Sequence, residues 1–205
     1  MKDTKLSRVL TWIIDIVFTG MLWCLFSLPV VTVGAASTAV YYAAVKCIRH
    51  ERGRLWPVFW QGFRSNFRPA TKLWLLYLAA LAVGAANVLA ARQWSGEGFS
   101  PLIALAGVIF LPVALLLPWS FAYVSRFDNS LRGGLQFIAW LVMRNPGKSL
   151  LLTAELFGAL AIVWLLPQIA PLLPGAVALM MSLTIEPVFR PHTEDAAVED
   201  AWFNE

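Results

Sequence analysis

Six apolar stretches, at residues 9–33, 34–45, 73–91, 99–124, 149–166 and 172–185, leave this chain few ways to fold. The basic residues between them tighten the constraint. If each stretch crosses a membrane once, fifteen of the sixteen Lys and Arg residues fall on one side, and only Arg92 falls on the other. Positive charge in short loops is retained in the cytoplasm. The pattern predicts an all-α, polytopic membrane helix bundle of about six spans, with the N- and C-termini cytoplasmic.

Composition agrees. The chain is 59% hydrophobic and 14% charged, against roughly 25% charged residues in soluble domains. Most of the ten Trp residues flank apolar stretches, as expected of amphipathic rings that favour the headgroup level. A net charge of +4 is not read as nucleic-acid binding. The basic residues stand beside the spans, where they set topology and meet anionic lipid. The first stretch, at 25 residues, is too long for a signal h-region of about 7–15. Cys24 and Cys47, in a span and at a span end, are expected as buried, inert thiols.

The first two stretches read as a hairpin with a short second arm. Pro29 ends the first helix early, Thr32-Val33-Gly34 turns the chain, and Ser37 or Thr38 caps the return helix. The alternative is a re-entrant segment with five true spans, which would put the later basic loops outside. In the stretch at 99–124, Pro112 and Pro118 predict kinks or a broken helix. Residues 1–190 form a single transmembrane domain, and 191–205 an acidic cytoplasmic tail.

Two segments outside the spans have helical patterning. In residues 55–68, Trp56, Phe59, Trp60, Phe63 and Phe67 step by three and four, with Arg64 and Arg68 beside them. Residues 131–144 carry a similar apolar pattern with Trp140 and Arg144. Each reads as an amphipathic helix in the inner interface, with packing under the spans as a compatible alternative. Trp60–Arg64 and Trp140–Arg144 share a spacing, and Asn66 and Asn145 follow. A parallel internal repeat and coincidence in a Trp-rich chain both remain open.

Chemistry-bearing residues are few. Cys47 and His50 lack a third ligand, no Ser sits in a nucleophile elbow, and there is no Walker A loop or dinucleotide fingerprint. The expectation is a protein without enzymatic activity, metal or cofactor. Asp15 and Glu155 lie within apolar stretches and Glu186 directly ends the last one, at similar distances from Arg8, Lys148 and Arg190. Carboxylates in lipid are costly and usually face the bundle interior. The three form a candidate intramembrane polar site for a cation or proton. Pairing of each with span-end Lys or Arg is the simpler reading. Small residues at helix-packing spacing, Ala80/Gly84, Ala82/Ala86/Ala90 and Ala154/Gly158, are expected to pack within one bundle, with a homo-oligomer as the alternative.

Residues 22–42, LWCLFSLPVVTVGAASTAVYY, continue through Phe59-Trp60-Gln61-Gly62-Phe63-Arg64-Ser65-Asn66-Phe67. This resembles the YesL-like bacterial membrane proteins, a domain-of-unknown-function family with a Leu-Pro-Val-Val-Thr-x-Gly turn, over roughly residues 10–80. Gly20-Met21 stands where members often carry Asn. The resemblance implies a small inner-membrane protein, often encoded near carbohydrate-importer genes. It thus implies an accessory or partner of a carbohydrate (ABC-type) uptake system, with permease subunits as partners besides the lipid bilayer. The other expectation is an independent small-solute or proton-coupled carrier or channel.

Overall fold

In the computed structural model, the described residues are 5–94, 101–127 and 131–192, and all their regular structure is helical. The acidic stretch from residue 193 onward lies outside them.

The first helix, α1 (Lys5–Phe26), stops before Pro29, because the residue preceding a proline is disfavoured in helical geometry. A single 3₁₀ turn, Val30–Thr32, follows. Thr32 Oγ1 lies 2.6 Å from the Phe26 carbonyl and 2.8 Å from that of Pro29, and its proton serves the open end of α1. The return helix α2 (Val33–Ala43) starts directly after this turn. Capping by Ser37 or Thr38 is therefore overturned: the chain is already helical at Val33. Ser37 Oγ instead accepts the Trp23 indole N–H at 3.0 Å, tying α2 to α1. Thr38 Oγ1 donates to the Gly34 carbonyl at 3.0 Å.

The second arm is also longer than its apolar run suggests. It widens into a π-helix over Ala44–Arg49, so Val30–Arg49 makes 20 residues. Lys46 does not end it. The side chain is buried, with Nζ donating to Tyr42 Oη at 3.1 Å. This is the central helix: Ala35, Ala36, Ala39, Ala43 and Ala44 are fully enclosed.

Helix α3 (Leu55–Trp94) is continuous for 40 residues with Pro69 inside it. The interfacial segment expected at 55–68 is thus not separate from the span. The cause is tertiary. Gly62 packs on Tyr42, and Gly34 packs on Ala70 and Trp74, so α2 splints α3 on both sides of Pro69. Leu55, Val58, Phe59, Gly62 and Phe63 are buried, while Trp56, Trp60, Arg64 and Arg68 are exposed. At about 1.5 Å per residue, α3 is roughly 60 Å long, twice the hydrocarbon thickness of about 30 Å.

Helix α4 (Pro101–Arg126) is likewise unbroken, so of the kinks or break expected from Pro112 and Pro118 the break is not found. Pro118 has no N–H for the Ala114 carbonyl. Thr153 Oγ1, from a neighbouring helix, lies 3.1 Å from that carbonyl. Such re-satisfaction is how proline is accommodated in apolar surroundings. Helix α4 runs antiparallel to α3, with Phe110 on Gly84, Trp74 against Phe121, and Tyr77 Oη 2.5 Å from Ser120 Oγ.

The short α5 (Leu131–Arg144) tucks Gly134 under Tyr123 and packs Phe137 on Tyr123 and Phe127. Pro146 opens α6 (Pro146–Leu165), at the first helical position that tolerates it. Trp119 Nε1 donates to Ser149 Oγ at 3.1 Å and joins α4 to α6. The last helix, α7 (Leu173–Phe189), lies against α1, where Gly20 meets Pro171 and Gly175 meets Ile16. His192, just beyond α7, sets its ring against Phe137 and Trp140.

Four helical stretches, Val30–Arg49, Leu55–Gln93, Pro101–Arg126 and Pro146–Leu165, are long and apolar enough to cross a membrane, and Leu10–Phe26 is a shorter apolar helix. By length and composition this is a multi-pass membrane protein.

Candidate functional site

The interior is closed by one charged group of residues where α2, α4 and α7 meet. Glu186, near the end of α7, forms an ion pair with Arg126, the last residue of α4. The two side chains are 8% and 2% exposed, so both charges are out of contact with solvent. Tyr41 of α2 donates its hydroxyl to Glu186 Oε1 at 2.8 Å. One step further along, Arg49 Nη1 donates to the Ser182 carbonyl of α7 at 2.7 Å. A buried carboxylate needs this degree of pairing, because the desolvation of each ion costs several kcal/mol.

Of the three carboxylates singled out from sequence, Glu186 is the one committed to these partners. Asp15 is half-buried on α1, where its backbone carbonyl accepts the Thr19 hydroxyl at 2.6 Å. Glu155 is half-buried on α6, and its Oε2 is shielded from solvent without a hydrogen-bond partner. Among the described residues, no three His, Cys, Asp or Glu side chains converge to hold a metal ion. The pairing of Glu186 with a span-end Arg is the simpler of the two sequence readings.

Beside this group lies a cavity of about 260 Å³ between α1, α2, α4, α6 and α7, lined by Trp23, Tyr41, Phe121, Leu160, Met181 and other mainly apolar residues. No charged side chain lines it. Tyr41 belongs to both the cavity wall and the charged group.

The structural turn is tight but not strained. Gly34 is buried and helical, and its backbone angle is ordinary; the only glycine with positive φ among the described residues is Gly53. Gly34 is required for closeness. A Cβ there would sit 2.6 Å from the Ala70 carbonyl oxygen and 2.6 Å from Trp74 Cβ. Pro29 precedes the 3₁₀ turn in extended geometry, and the Trp74 indole donates to the Val30 carbonyl at 2.7 Å. Trp56 and Trp60 stack at 6.2 Å on the exposed side of α3. In α5, the Arg144 guanidinium lies 5.3 Å from the Trp140 ring centroid, within cation–π range.

Residues 16–88, which include the turn, α2 and most of α3, match the family described as "Protein of unknown function, DUF624". The chain is also 25% identical over 164 residues to "Uncharacterized protein YesL" of Bacillus subtilis (strain 168), covering 77% of this chain and 76% of the relative. The chain is YesL-like and carries a DUF624-family region. No solved structure matches it.

The DUF624 region supplies Tyr41 and Arg49 to the charged group, whereas Arg126 and Glu186 lie beyond it. Sequence reasoning missed Tyr41, Arg49 and Arg126 as partners. Arg126 reads as a loop charge because it ends an apolar stretch. The signal that was available is the placement of Glu186 in a stretch otherwise free of charge, which demands a cation from another helix.

Proposed function

We propose that this YesL-like protein is a non-enzymatic inner-membrane partner protein that assists a carbohydrate (ABC-type) importer by packing against its permease subunits. The observation that carries this reading is the direction of the small-residue rows. Gly84 of the Ala80/Gly84 pair is buried against Phe110 of α4. Ala154 of α6 is exposed, and nothing lies within 4 Å of a Cβ built on Gly158. Ala82 and Ala86 of α3 also face outward. Rows of this kind let a second helix approach closely, and here they are offered to the outside of the bundle. The sugar-importer assignment comes from the family resemblance alone.

Tagged protein purified from native membranes is expected to bring permease subunits with it. Ala154→Leu/Gly158→Leu should cut that recovery at least several-fold while the protein itself remains monodisperse. Unchanged recovery of permease subunits removes the partner reading, as does a double variant that abolishes self-association and nothing else.

A second reading, an independent small-solute or proton-coupled carrier, is favoured by the buried, unbonded Oε2 of Glu155. It predicts flux in reconstituted vesicles that Glu155→Gln or Asp15→Asn abolishes. The partner reading predicts no flux above empty vesicles.

The six-crossing topology with both termini in the cytoplasm is part of this proposal. It rests on the fifteen-to-one distribution of Lys and Arg. In a background lacking Cys24 and Cys47, an impermeant thiol reagent applied to intact cells should label a cysteine placed at Gly96. It should miss one placed at Gly53. Labelling at Gly53 would reverse the orientation of the basic loops.

A further inference from the structure

We infer that the exposed side of α3 just before its apolar run is a binding site for the phosphate of an anionic phospholipid. Three observations meet there. The first is a groove of about 570 Å³ whose walls include Trp60, Phe63, Arg64, Phe67, Arg68 and Pro69. Its apolar walls are firm: Phe63 lies 5.9 Å from Trp60 and 5.4 Å from Phe67, and Phe26 of α1 backs it at 4.9 Å.

The second observation is charge. Arg64, Arg68 and Lys72 follow one another at four-residue spacing, and all three are exposed. Residues four apart on a helix are neighbours on its surface. No Asp or Glu occurs anywhere in α3, so the helix offers these cations no internal counter-charge. Two guanidinium forks one turn apart suit a phosphate, which each can engage bidentately.

The third observation is position. Lys72 and Arg92 bracket the apolar run at residues 73–91, whose length at about 1.5 Å per residue matches a hydrocarbon core of about 30 Å. The two arginines therefore stand on the headgroup side of that boundary. Leu75 and Leu76, just inside it, are 45% and 50% exposed and ready to contact acyl chains. Trp60 and Phe67 are exposed beside the arginines, where aromatic rings meet the glycerol level. Pro69 adds an acceptor: lacking an N–H, it leaves the Ser65 carbonyl without its helical partner, and Ser65 also lines the groove. A headgroup hydroxyl is the matching donor.

The test uses full-length protein in neutral detergent, supplied with equal amounts of phosphatidylglycerol and phosphatidylcholine and read by native mass spectrometry. Wild type is expected to retain phosphatidylglycerol in preference. Each arginine contributes about five-fold to such a preference, so R64Q/R68Q should lower it by roughly 25-fold. R92Q removes one charge from the other end of α3 and should leave it unchanged. Both arginines are exposed, so the single variants R64Q and R68Q carry the same test with a smaller perturbation. Equal retention of the two lipids by wild type overturns the proposal, as does an undiminished preference in the arginine variants. Displacement of the lipid by millimolar inorganic phosphate also overturns it, since the site would then belong to a soluble phosphate.

Discussion

Replacing Glu186 with Ala is expected to cost about 3–5 kcal/mol and to remove most of the monodisperse protein recovered in detergent. The reason is what it leaves behind. The Arg126 side chain is only 2% exposed, and without Glu186 its charge loses the carboxylate that offsets its desolvation. Arg126→Ala is expected to do comparable damage by stranding the carboxylate. Tyr41→Phe removes one hydrogen bond to a charged group and should cost about 1.5–3 kcal/mol, clearly less than either ionic partner.

The double variant Glu186→Leu/Arg126→Met discriminates between mechanisms. A buried ion pair replaced by apolar groups of similar volume is often tolerated or even stabilising. The double variant should therefore recover much of the loss seen in each single variant. Thermal unfolding monitored by size exclusion gives the comparison. If the double variant is as poor as the sum of the singles, the pair does more than neutralise charge. A requirement for Glu186 in function would then be indicated. High salt should affect wild type little, because a pair this enclosed is poorly screened.

The helices were legible in the sequence wherever an apolar run is long and uninterrupted. Pro29 marks the end of α1 as expected. What could not be read locally is the effect of one helix on another. The 55–68 segment looks separate from the span that follows and is not, because α2 holds α3 through Gly62 and Gly34 on either side of Pro69. Pro118 looks like a break, but α4 runs through it, with Thr153 Oγ1 of α6 lying 3.1 Å from the freed Ala114 carbonyl. Lys46 looks like the end of a span, yet it continues the helix with its amine on Tyr42. The charged group was half legible for the same reason. Glu186 announces itself by cost alone, whereas its partners lie 60 and 145 residues away. No periodicity connects residues at such separations. The shared Trp–Arg spacing of the 55–68 and 131–144 segments leads to different structures: the first is built into a spanning helix, and the second is a separate helix beneath α4.

Gly20→Ala is expected to be the most damaging glycine-to-alanine change among the described residues. A Cβ at that position would lie 1.8 Å from the Pro171 carbonyl oxygen and 2.8 Å from its carbon. Both are backbone atoms, so no rotamer change relieves the contact. Helix α1 and the turn before α7 would have to part by more than 1 Å, against a usual overpacking cost of about 1–3 kcal/mol where neighbours can adjust. Gly175→Ala, whose Cβ would sit 2.5 Å from the Ile16 carbonyl oxygen, should disturb the same seam, and Gly34→Leu the α2–α3 seam. Gly107 is the internal control, because nothing lies within 4 Å of its Cβ position. There Ala replaces Gly inside a helix and should stabilise by up to about 1 kcal/mol. Folded yield and unfolding temperature of the four variants provide the check. If Gly20→Ala matches Gly107→Ala, the close seam between α1 and α7 is wrong. The placement of Glu186 against Tyr41 and Arg126 would then lose its support, since α7 is held to the bundle by that seam at one end and by the ion pair at the other.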